Sequence, residues 1–138
     1  GEMYHAIKWE WAYCNNERIY TSNQEIQDAD IAISFRKNPM IQKEITTEIV
    51  NSIYWIKNNS CSHHDSAFIA KWILDWVVHS WAQIWDYCHY LLITEAGGIV
   101  TDWSWKNFNT KSNSIVAAAN KNIHNCLLEI VEKHSKKI

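Results

Sequence analysis

The chain has 138 residues, a formal charge of −2, 47% apolar residues and 20% charged residues. That length suits one domain with a real core, so residues 1–138 are read as a single domain. The near-neutral charge leaves no electrostatic footprint for nucleic acid, and no apolar run approaches the ~20 residues of a membrane helix, so neither partner is expected.

Short strands come first. Met3–Trp9 and Trp11–Asn15 flank a break, Asn15-Asn16 is a good turn pair, and Glu17–Ser22 reads as a third strand. Asp30–Phe35 has the pattern of a buried strand. Asn38-Pro39 signals a helix start, and Ile41, Ile45, Ile49 and Ile53 recur every four residues along one helix face. Ile53–Ile56 reads as a short strand, Ser62–Lys71 as a helix and Ile73–Val78 as a strand. Trp85–Ala96 reads as a helix closed by Gly97-Gly98, where a positive φ is needed. Ile99–Trp103 and Ser114–Asn120 are strands, and Ile123–Glu132 is a terminal helix. The alternation predicts an α/β fold, a layered mixed sheet with packed helices.

Cys14, Cys61, Cys88 and Cys126 are widely spaced and form no C-x-x-C pair. They read as reduced thiols of a cytoplasmic protein, and GEMYHAIK is not the pattern of a signal or transit peptide.

Asp86 is a lone acid at the front of a strongly apolar stretch. It reads either as a helix-start acid stabilised by free N–H groups and the helix dipole, or as a ligand for a hard cation such as Mg²⁺. His63 and His64 are adjacent, so on a helix they point about 100° apart and make a poor chelate. They read as surface residues.

Four pieces occur in order: Trp85-Asp86, Glu95-Ala96-Gly97-Gly98, Val100-Thr101-Asp102 and Ile115-Val116-Ala117-Ala118-Ala119-Asn120. This series resembles the C-terminal half of the inositol monophosphatase family, and GEMYHAIKWEWAYCNNERIYTS resembles that family's β-hairpin segment. The resemblance implies a Mg²⁺-dependent phosphomonoesterase acting on a small phosphorylated substrate, with Asp86 as a metal ligand. It also places His79, Cys61 and Ser62 on the substrate side. His79 stands where inositol phosphatases have a Glu that contacts substrate hydroxyls. Asp65 falls at a position that is usually structural or a subunit contact.

The family's other metal ligands lie in a Gly-Glu-Glu segment and an Asp-Pro-Ile-Asp-Gly-Thr segment, and neither motif occurs here. The expectation is a C-terminal region that is inactive without an N-terminal half, and that associates with that half or with itself. The alternative is a non-catalytic or engineered domain that keeps the fold as a binding or assembly module. An aromatic nucleic-acid platform fails for want of a basic groove.

Nine Trp accompany only three Gly, where average usage of ~7% predicts about ten. Against the family pattern, Trp9, Trp11, Trp72, Trp81 and Trp105 fall where glycine is usual, and Trp55 is a sixth candidate. A bulky residue is strained wherever such a position has φ > 0. Trp76 and Trp85 read as ordinary core residues, and Trp103 is plausible as it stands.

Overall fold

The computed structural model describes residues 1–34, 39–52, 55–57, 61–80 and 82–135. Strands β1 (Tyr4–Ile7), β2 (Trp11–Cys14) and β3 (Glu17–Arg18) form a small antiparallel sheet. Asn15 and Asn16 make its second turn at φ 50° and 67°, a conformation that Asn tolerates. The third strand stops at Arg18, short of the expected Ser22, because the chain crosses to the next layers. There the Thr21 N–H donates to Ala96 O at 3.1 Å and its hydroxyl to Ala119 O at 2.8 Å.

The larger sheet contains β4 (Asp30–Ser34), β5 (Trp55–Lys57), β6 (Trp76–His79), β7 (Ile99–Thr101) and β8 (Ile115–Ala118). Its order is β5-β4-β6-β8-β7. The β5, β4 and β6 strands run parallel, and β8 is antiparallel to both its neighbours. The helices are α1 (Pro39–Ser52), α2 (Ser62–Ala70), α3 (Tyr87–Glu95) and α4 (Lys121–Ser135). This is the mixed, helix-covered sheet that the alternation predicts.

Period-2 alternation divides the core. Ile31, Ile33, Trp76, Val78, Val116 and Ala118 face one way, onto Ile45 and Ile49 of α1 and Leu127 and Val131 of α4. Ala32, Val77, Ile115 and Ala117 face the other way, onto Ile69 of α2 and Tyr90 and Ile93 of α3. The small sheet packs on this second helix pair, through Ala12 and Cys14 against Ala70, Leu92 and Ala96. The layers are therefore helix, sheet, helix, sheet. Of the isoleucine stripe, Ile45 and Ile49 are fully buried; the side chains of Ile41 and Ile53 lie outside the described residues, as does Trp81. All four cysteines are free thiols.

Helix α3 ends as expected. Gly97 has φ +101°, its N–H donates to Thr94 O, and the Gly98 N–H donates to Ile93 O. That bond pair is a Schellman cap. A Cβ on Gly98 would lie 2.6 Å from Ile93 Cγ2 and 2.8 Å from the Ala118 carbonyl oxygen. The oxygen belongs to a paired strand and cannot yield. Gly98→Ala is expected to destabilise the chain by ~1–3 kcal/mol, read by urea denaturation.

Helix α4 starts at Asn120, whose Oδ1 accepts the Ile123 N–H at 3.1 Å. Its His124 is buried, with Nε2 2.9 Å from the Thr101 hydroxyl. Burial pushes the His124 pKa below 6.5, and a hydrogen bond with Asn125 offsets part of that. The folded chain therefore takes up this proton at a lower pH than the unfolded chain does. The stability this contributes is fully present above pH 6.5 and is lost as pH falls below it, by up to ~1.4 kcal/mol per pH unit. His89 is shifted the same way, by burial and by His63. His124→Gln is expected to flatten the pH dependence of unfolding between pH 5 and 6.5 relative to the parent chain, which denaturation at stepped pH would measure.

Trp9, Trp11, Trp72 and Trp105 have φ of 74°, 99°, 58° and 64°, the left-handed backbone expected of glycine positions. Trp55 lies in β5. Trp76 is fully buried and Trp103 packs against the same core. Trp85 is a correction. It is 61% exposed, because Ile84–Asp86 forms a single 3₁₀ turn whose buried member is Asp86. Three residues per turn then leave Ile84 and Trp85 facing outward.

Candidate functional site

Asp86 ends that 3₁₀ turn and immediately precedes α3, so the free N–H groups of the helix's first turn lie beside it. The side chain is only 5% exposed. A buried carboxylate needs partners, and each oxygen has one. Oδ1 accepts the Ser62 hydroxyl at 2.9 Å, and Oδ2 accepts the Gln83 N–H at 2.8 Å. The Asp86 N–H in turn donates to Gln83 O at 2.9 Å. The pose is fixed by two elements, since Ser62 opens α2 while Gln83 precedes the turn.

Two sequence-predicted site residues, Asp86 and Ser62, are therefore in direct contact. Cys61 is the exposed residue that caps α2, and its carbonyl accepts the Asp65 N–H at 3.0 Å. His79 is at the end of β6, on the face that meets α2 and α3, and is 7% exposed. Its ring meets Tyr90 edge-on at 6.4 Å. His79 thus reaches the Asp86 neighbourhood through Tyr90.

The structure adds residues that spacing did not single out. Tyr90 is almost wholly buried; burial, and then the charges of Asp86 and Asp65, hold its phenol pKa well above 10. Burial beside two acids thus favours its neutral, protonated form. Asp65 is buried in α2. His63 and His89 meet at 3.6 Å between ring centroids, and His63 Nδ1 lies 3.4 Å from the Ser62 hydroxyl. Tyr90 and His89 could have been found from helix geometry: they follow Asp86 by four and three residues, about one turn.

Among the described residues no three His, Cys, Asp or Glu side chains assemble as a metal shell. Asp86 nevertheless fits one position of a Mg²⁺ shell. It is an oxygen donor, and each carboxylate oxygen accepts one hydrogen bond from the chain, leaving capacity for a cation.

Solved structures share this architecture. The Thermotoga maritima IMPase superposes with a TM-score of 0.86 at 22% identity, over 99% of this chain and 53% of that one. The extragenic suppressor protein suhB of Bartonella henselae gives 0.88 at 25%, over 96% and 52%. SaIMPase-II with inositol monophosphate bound gives 0.83 at 21%, over 98% and 55%. The chain spans about half the length of these structures. No curated protein matches it. The family model described as "Inositol monophosphatase family" matches residues 1–136, and the chain belongs to that family.

Proposed function

We propose that the chain is the C-terminal region of a Mg²⁺-dependent phosphomonoesterase, completed by an N-terminal half that brings the remaining acidic ligands. The observation that carries this is Asp86: a buried carboxylate beside a helix N-terminus, pinned through both oxygens yet able to accept a cation. Mg²⁺ bound there would neutralise phosphate charge and activate water, as such ions do in phosphoryl chemistry. Ser62 and the Gln83 N–H orient Asp86. The Asp86 position at the front of α3 favours an anion close by. Cys61, Ser62 and His79 are assigned to the substrate side, and the substrate is a small phosphate monoester. SaIMPase-II has been solved with inositol monophosphate bound, and an inositol phosphate is accordingly one candidate.

The docking face proposed for the absent half is the outer side of the small sheet. His5 and Tyr13 stack there at 5.1 Å, and Ile7 is half exposed. A three-stranded sheet with one such face gains by being covered. A cytoplasmic location is part of the same proposal. Among the described residues no helix is long and apolar enough to cross a membrane.

The test is phosphate release from inositol 1-phosphate, histidinol phosphate and a 3′-phosphonucleotide with Mg²⁺. The chain is assayed alone and with the N-terminal half supplied as a second polypeptide. Activity only on complementation supports the proposal. Activity of the chain alone refutes the missing-ligand argument. Silence from a folded, associated pair favours the non-catalytic binding module, the reading that the lack of a complete metal shell among the described residues keeps in play.

A further inference from the structure

Six described non-glycine residues have positive φ. Two are Asn15 and Asn16, the residue type that tolerates it. The other four are all tryptophan: Trp9, Trp11, Trp72 and Trp105. Tryptophan is nine of 138 residues, so chance does not place it at every remaining left-handed position.

The local geometry asks for glycine. The Trp72 N–H donates to Ile69 O and the Ile73 N–H to Phe68 O. This Schellman cap at the end of α2 repeats the one at the end of α3, where the same position is Gly97. Trp105 closes the three-residue loop Trp103-Ser104-Trp105, across which the Asp102 N–H donates to Lys106 O at 2.9 Å. The last residue of such a loop is the left-handed, glycine-favouring one. Between β1 and β2, the Glu95 carboxylate accepts the N–H groups of Trp9 at 2.9 Å and Trp11 at 3.3 Å. Glu95 thus grips the backbone of that turn.

The indoles gain little in return. Trp9 is 85% exposed and Trp72 74%. Their contacts are surface ones, such as Lys8 over Trp9, Arg18 over Trp11, and Trp105 Nε1 donating to Glu132. We infer that the polypeptide made in its source cell carries glycine at positions 9, 11, 72 and 105. Tryptophan and glycine triplets can differ in one base: UGG against GGG and, in codes that read UGA as tryptophan, UGA against GGA. The triplet UGA is read differently in different genetic codes, so one decoding difference alters every such position together. The inference also accounts for the scarcity of glycine, and it removes four indoles that are at least partly exposed.

The test is peptide-mapping mass spectrometry of the protein purified from its source organism. Fragments spanning the four positions are expected to have the masses of glycine peptides, and the intact protein to absorb less at 280 nm than the tryptophan form made in a standard host. Tryptophan, or any residue other than glycine, at one of the four positions overturns the inference.

Discussion

Replacing Trp9, Trp11, Trp72 and Trp105 together with glycine is expected to stabilise this chain by several kcal/mol. Each has left-handed backbone, which costs a bulky residue ~1–3 kcal/mol. Glycine relieves that and loses ~0.5–1 kcal/mol through the greater freedom of its unfolded state. The surface cation–π contacts given up at Trp9 and Trp11 are worth at most ~0.5–1 kcal/mol each. A net gain of about 1 kcal/mol per site is large against a typical total of ~5–15 kcal/mol, and roughly 3–5 °C in Tm accompanies each kcal/mol. Trp103→Gly is the control. Trp103 packs on the core and donates its indole N–H to Ile115 O at 3.3 Å, so that substitution should destabilise. Denaturant titration of both variants decides the matter. A quadruple variant no more stable than the parent would show that the strain argument is wrong.

Asp86→Asn is expected to lower phosphatase activity sharply in the complemented enzyme while leaving the fold intact. Asparagine keeps the size; its oxygen can accept the Gln83 N–H while its NH2 donates to the Ser62 hydroxyl, so the main loss is the charge beside α3. As a helix-start interaction that charge contributes ~0.3–1 kcal/mol. As a cation ligand its loss should lower kcat on the order of 10²–10³-fold, the scale seen when preorganised electrostatic stabilisation is removed. The two roles separate because one is read in stability and the other in turnover. Unchanged kcat with a small loss of stability would reduce Asp86 to a helix-start acid.

Local chemistry was legible in the sequence where one element settles it. The four-residue isoleucine repeat places Ile45 and Ile49 in the core. Gly97-Gly98 marks the end of α3 to the residue, and Pro39 starts α1. The site was legible in part. Asp86 stands out because an acid ahead of an apolar helix needs a reason. Its bond to Ser62 spans 24 residues, and nothing local in either segment encodes it. The position of His79 behind Tyr90 likewise depends on how β6 meets α3. The exposure of Trp85 was missed because apolar character says little about direction at a 3₁₀ turn, where one residue in three faces inward. The third strand was read too long because Thr21 and Ser22 fit a strand by composition but bond across the layers instead.

The order of layers differs from the order of the chain. The β1–β3 hairpin comes first in sequence, yet it rests on α2 and α3 and is tied down by a Thr21–Ala119 bond across 98 residues. During synthesis the hairpin therefore leaves the ribosome well before α2 and α3, the helices it rests on. Loop closure must precede the contacts that reward it, which makes this docking a late and slow event. Until then the hairpin's sheet edges stay open, and whatever covers them in the cell meets the nascent chain before the rest of the domain does.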